Sequence, residues 1–192
     1  MVKQDRARRT HELVLDAAAA EFATHGFAGT NLQSVAERTG LTKGALYGHF
    51  ASKAELAAEL TRQFEERWQE LLRTARSTED SPLPSLHTLV TEVFRRTQQE
   101  GRFAAGLRLV VEQARAKGIR PPHLEQLRLL LLALVERGQE HGEIDAGRAP
   151  EVLSQLLLAA VYGLHHIAPV ARAEHVREMW DILLPGMRHP AD

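Results

Sequence analysis

Three helix-start signals crowd the stretch between Thr30 and Leu56, and they constrain this chain more than any other feature. Thr30 and Gln33 have the spacing of a capping box, which would satisfy two orphan backbone donors. Thr42 can cap a second helix, with Leu41 and Leu46 at the staple positions that set its entry angle. Ser52-Lys53-Ala54-Glu55 is another capping box, flanked by Ala51 and Leu56 at staple spacing. The spacing therefore predicts a short helix over Leu32 to Arg38 and another from Lys43 to about Phe50. Thr39-Gly40-Leu41 makes the tight turn between them, with Gly40 free to take a positive φ. Two short helices joined by a glycine-containing turn describe a helix-turn-helix.

Helical periodicity extends along nearly all the rest. Leu13, Val14, Ala17, Ala18 and Phe22 recur at helical spacing in a first helix from about Arg6 to His25, and Gly26 supplies its stop. The Ser52 box opens a long helix that reaches Arg76. Ser77 to Pro84 reads as a linker, and beyond it helices are expected at 85–99, 102–116, 122–141, 148–168 and 172–187. With 44% hydrophobic but only 5% aromatic residues, the core must be built from Leu, Ala and Val. The fold class expected is all-α. A three-helix N-terminal domain, residues 1–52, is joined by a long helix to a larger helical domain, residues 53–192.

Composition removes several classes. There is no cysteine, hence no disulfide framework and no Cys-containing zinc site. The polar start Met1 to Arg6 lacks the apolar core of a secretory signal. No uninterrupted apolar run, that from Leu129 to Val135 included, approaches the roughly 20 residues a membrane span requires. A soluble cytoplasmic protein without a membrane partner is expected. Residues 1–53 carry seven basic and five acidic side chains, whereas the remainder carries 17 basic and 20 acidic. Only the N-terminal quarter suits a polyanion.

In a helix-turn-helix the second helix reads the major groove of DNA. Here its exposed start offers Thr42, Lys43 and Gly44: Lys43 can reach the O6 and N7 acceptors of guanine, and Gly44 has no side chain to hold the helix off the bases. Tyr47 and His49 can bond phosphates, and Lys53 lies where its charge and the free N–H groups of a helix start together attract phosphate. With Thr30 and Gln33 these complete the candidate DNA-binding set. Geometry alone leaves the matter open, because short helix pairs also occur in proteins that never touch DNA.

The residues carry more than the geometry. The run Thr30 to Phe50, followed by Ser52-Lys53-Ala54-Glu55-Leu56, resembles the DNA-binding signature of the tetracycline-repressor (TetR) family, and Ala17 to Phe27 resembles that family's first helix. The resemblance covers about the first third of the chain. It implies a homodimeric repressor whose two reading helices enter successive major grooves of a near-palindromic operator on double-stranded DNA. Lys3-Gln4-Asp5-Arg6-Ala7, Thr42 to Tyr47, Phe50-Ala51-Ser52-Lys53, Gly138 to Ile144 and Met179 to Pro185 are further similar to the γ-butyrolactone autoregulator receptors of actinomycetes. That similarity implies a small-molecule inducer, a γ-butyrolactone or a similar small apolar compound, bound in the larger domain. One departure stands against it: those receptors carry tryptophan after the Pro-rich break, where this chain has Leu124 and Leu127. The alternative is a constitutive TetR-like regulator with no butanolide ligand.

In the larger domain, apolar stripes at Leu107, Val110, Val111 and Ala114 and at Leu124, Leu127, Leu131, Leu134 and Val135 must be buried. They serve as plain core, or in part line an apolar pocket. The candidate ligand-binding residues are Phe94, Leu107, Val110, Val111, Leu127, Leu131, Tyr162 and His166. The last two helices have the pattern of a dimer seam: Leu156, Ala160, Gly163, Ile167, Met179, Trp180 and Leu183, with Trp180 as a hot-spot anchor. The pair His165-His166 points about 100° apart on a helix and makes a poor metal site. No metal or other cofactor is expected. With no nucleophile–base spacing and no Gly-rich phosphate loop, neither is an enzyme.

Overall fold

The computed structural model describes the backbone of residues 2–77, 81–167, 173–183 and 185–187, and the side chains of 4–76, 81–163, 178–183, 186 and 187. The all-α expectation holds. The elements are α1 (Val2–Gly29), α2 (Leu32–Thr39), α3 (Lys43–Tyr47), α4 (Lys53–Ser77), α5 (Pro82–Gln99), α6 (Gly101–Ala116), α7 (Pro122–Glu140), α8 (Pro150–Ile167) and α9 (Ala173–Leu183), followed by a 3₁₀ turn at Pro185–Met187. Among the described residues no helix is long and apolar enough to cross a membrane.

The chain divides into two compact units, residues 1–67 with 99–121 and residues 68–98 with 122–192. This grouping differs from a cut at residue 52, because α6 packs on α1 and so joins the N-terminal helices. The first unit buries Val14, Leu15, Ala18 and Phe22 of α1 against Val35 and Ala36 of α2, Leu46 of α3, Leu56 and Leu60 of α4, and Ala105 and Leu109 of α6. Gly106 lets α6 lie directly on α4: a Cβ there would stand 2.4 Å from Phe64 Cβ and 2.7 Å from the Leu60 carbonyl oxygen.

Polar links tie α6 to α1. Arg102 donates to Asp16 at 2.6 Å and to Glu12 at 2.7 Å. Gly26 breaks α1 with φ 68°, which frees the amide of Phe27 to donate to Glu112 at 2.8 Å, while Arg108 donates to the Ala23 carbonyl at 2.7 Å. The stop expected at Gly26 is thus a break, and a further helical turn follows it to Gly29.

In the second unit Trp68, Leu72, Leu86, Leu89, Leu127, Leu131, Leu134, Val135, Leu157 and Trp180 are buried. Pro82, Leu83 and Pro84, read from sequence as linker, belong to α5. Proline is suited to a first helical turn, where its missing N–H has no partner to lose. Glu143 completes that start by accepting hydrogen bonds from the Leu83 amide at 3.1 Å and from the Ser81 hydroxyl.

Candidate nucleic-acid interface

The turn between α2 and α3 forms as its residues require. Gly40 adopts φ 68° and its amide bonds back to α2, closing the helix. Thr42 caps α3, its hydroxyl accepting from the Ala45 amide at 3.2 Å. Leu46 is fully buried and Leu41 packs against the same core, so the staple holds α3 down on its inner face. The outer face is left to Lys43, Gly44 and Tyr47, all exposed. Nothing lies within 4 Å of where a Cβ on Gly44 would stand. Gly48 closes α3 earlier than the expected end near Phe50.

The cap of α2 corrects the sequence reading. Asn31, not Thr30, is the N-cap, its side-chain oxygen accepting from the Gln33 amide at 2.9 Å. Asparagine is at least as good a cap as threonine, and its position beside Leu32 was the available signal. Thr30 is only 5% exposed, its hydroxyl donating to the Gly26 carbonyl at 2.7 Å, and it borders the concavity between the starts of α2 and α4. Gln33 is exposed, with its amide donating to Glu37 at 3.0 Å.

At the start of α4 the Ser52 box forms, with the Glu55 amide donating to the Ser52 hydroxyl at 3.1 Å and the Glu55 carboxylate accepting from the Ala51 amide at 2.6 Å. Lys53 turns back along the surface. Its ammonium lies 3.0 Å from the Thr30 carbonyl, 3.4 Å from that of Ala28 and 4.9 Å from the centroid of the Phe27 ring. It therefore locks the end of α1 to the start of α4.

These pieces converge on a surface concavity of about 500 Å³. Asn31, Gln33, Lys43, Tyr47, Ser52 and Lys53 are among the residues that line it. The N-termini of α2 and α4 both open onto it, so partial positive charge from two helix ends adds to two lysines. Lys43 also lies 6.0 Å from the centroid of the Tyr47 ring. His49 is placed apart, its ring 6.4 Å from that of His11, which itself stacks on Phe50 at 4.4 Å.

A family model for bacterial regulatory proteins of the tetR family matches residues 14–60. Over 99% of this chain and 68% of its own length, the A-factor receptor protein of Streptomyces griseus is 31% identical. The chain belongs to the TetR family. Two solved structures agree along the length of this TetR-family chain. A gamma-butyrolactone receptor described as ArpA-like is 26% identical with a TM-score of 0.76, covering 96% of this chain and 91% of its own. The TetR family protein CprB from Streptomyces coelicolor, in complex with its operator sequence, is 27% identical with a TM-score of 0.72, with the same coverage. The protein is a DNA-binding repressor of the TetR type, and not an enzyme.

The other sequence-derived sets fare differently. Of the ligand-binding candidates, Leu107, Val110 and Val111 lie on α6 in the first unit, whereas Phe94, Leu127, Leu131 and Tyr162 lie in the second. Phe94, Leu127 and Leu131 are buried core, and Tyr162 is exposed. The second unit has a cleft of about 270 Å³ between α4 and α5, lined by Leu71, Thr74, Ala75, Pro84, Ser85, Thr88, Leu89, Glu92 and Arg96, none of them a candidate. At its end Glu92 accepts from Arg95 and Arg96, both at 2.7 Å. Arg95 first among them pulls the Glu92 carboxyl down to about 2.

Of the dimer candidates, Leu156 and Met179 are exposed, and Ala160, Gly163 and Leu183 are half-buried. Trp180 is 0% exposed and cannot be a surface anchor as the chain stands. Around it Glu178, Met179, Asp181 and Ile182 are exposed, and the indole falls on the inner face. The side chains of His165, His166 and Ile167 lie outside the described residues.

Proposed function

We propose that this chain acts as a homodimer, with the two copies of α3 entering successive major grooves of a near-palindromic operator. The concavity between the starts of α2 and α4 carries this reading, since two helix N-termini and two lysines gather beside a helix whose tip, Gly44, is bare. Lys43 meets base edges, while Tyr47, Lys53 and the helix starts meet phosphate. Residues 1–52 form the reading domain in this division, and α4 carries the connection onward. His49 contributes to the backbone from the α1 side, next to His11.

The dimer face is the outer stripe of α8 and α9. Val152, Leu156 and Ile182 are 62%, 53% and 70% exposed, an apolar cost that a two-fold partner removes. The inducer is a γ-butyrolactone or a similar small apolar molecule, which favours a state whose reading helices no longer fit two half-sites; a differential affinity of about 100-fold corresponds to roughly 2.7 kcal/mol. The observation favouring the constitutive alternative is that Phe94, Leu127 and Leu131 are packed as core.

Operator binding measured for the wild type, Lys43→Ala and Lys53→Ala tests the DNA half. Lys43→Ala lowers affinity by about 1–3 kcal/mol and relaxes preference at one base position. Lys53→Ala weakens all sequences alike and lowers the salt slope by about 1. Intact operator affinity in Lys43→Ala defeats the assignment. Butanolide titration followed by fluorescence of Trp68 and Trp180, the only tryptophans in the chain, decides the inducer. Saturation with loss of operator supports the receptor, and no change at all leaves the constitutive regulator.

A further inference from the structure

Most arginines described in the second unit are committed to carboxylates: Arg95 and Arg96 to Glu92, Arg128 to Glu125, and Arg148 to Asp145. Arg76, in the last turn of α4, and Arg137, in the last turn of α7, have no such partner among the described residues. Both line one groove of about 230 Å³, whose remaining lining is Leu129, Leu130, Ala133 and Leu134. Leu130 and Leu134 are 4% and 1% exposed and make the floor, while Leu129 is 49% exposed at the rim. Among the described residues, no carboxylate lines it.

Among the described residues, this apolar trough is flanked by two guanidinium groups and by no acid. It is matched by a molecule that is anionic at one end and hydrocarbon at the other. We propose that this groove binds a small amphipathic carboxylate, with its acyl or aryl chain on the leucines and its head group between Arg76 and Arg137. Planar guanidinium groups suit carboxylates because they donate two parallel hydrogen bonds. A groove of about 230 Å³ has room for a medium-chain fatty acid. Such a ligand differs in charge from a neutral lactone and occupies residues apart from the apolar candidates named above. Occupancy of the groove is independent of operator recognition, so it is read without DNA.

Calorimetric titration of the intact protein with sodium octanoate at neutral pH, in parallel with octanamide, tests the proposal. Octanoate is expected to bind saturably at one site per chain, with a dissociation constant below about 1 mM. Octanamide, equal in length but uncharged, should bind about tenfold more weakly or not at all. Arg76→Gln and Arg137→Gln should each weaken octanoate about tenfold, and Ala133→Trp should block the trough. Circular dichroism confirms that each variant is folded. No saturable binding up to about 10 mM overturns the proposal. So does equal binding of octanamide, or unchanged binding in both arginine variants.

Discussion

Replacing Gly106 by alanine sets two opposed effects against each other, and the geometry decides between them. Alanine in place of glycine within a helix is favourable by about 1 kcal/mol through backbone entropy. At this position, however, the new Cβ would meet Phe64 Cβ at 2.4 Å, the Leu60 carbonyl oxygen at 2.7 Å and Phe64 Cγ at 3.2 Å. A backbone oxygen and a Cβ cannot rotate away, so α6 must move bodily off α4. That movement works against the fully buried Phe103, whose ring packs on Phe64 at 4.9 Å, and against the Arg102 bonds to α1. Overpacking of this kind costs about 1–3 kcal/mol, and contacts with fixed atoms belong in the upper half of that range. The net is a loss of about 1–2 kcal/mol, which for a chain of this size lowers the melting temperature by about 2–8 °C. Thermal unfolding followed by circular dichroism at one fixed protein concentration measures it, since dimerisation would make the midpoint concentration-dependent. A midpoint equal to or above the wild type's would refute the close α4–α6 contact.

Gly44→Ala should behave in the opposite way. With open space around the new methyl group it leaves stability unchanged or raises it by up to about 1 kcal/mol, yet it lowers operator affinity by holding α3 off the bases; paired melting and DNA-binding curves separate the two effects. Asn31→Ala should destabilise by about 0.5–2 kcal/mol through loss of the α2 cap, seen in urea unfolding; a neutral result would return the cap to Thr30. Glu92→Gln should lower the melting temperature at pH 7. The Glu92 carboxyl is held at about 2 against an ordinary 4.5, chiefly by its hydrogen bond from Arg95. A depressed carboxyl stabilises the fold above its unfolded value and ceases to do so as pH falls through its folded value. The gap between wild type and variant should therefore be constant above pH 4.5 and close as pH falls toward 2; a gap independent of pH across that range contradicts the ion pair.

The helix-turn-helix was legible because its determinants are local. A cap, a staple and a glycine turn each act within four or five residues, so Gly40, Thr42, Leu41 with Leu46, and Ser52 with Glu55 form as read. Even the misassigned cap was an error of one residue, between two neighbours that both make caps. What tertiary structure decided were the partners that arrive from far along the chain. Lys53 is turned aside by carbonyls of residues 28 and 30, and Thr30 is drawn inward by Gly26. Gly106 matters only because α4 lies against it. Trp180 reads the same in sequence whether it faces a partner subunit or its own core, and only packing chose the core. Periodicity tells which residues leave water but not what they meet there, because burial has no direction. The sequence by itself therefore determined the helices and the DNA-reading turn, while which apolar side chains are filled core, which stay exposed, and where two arginines share a groove were settled by the fold.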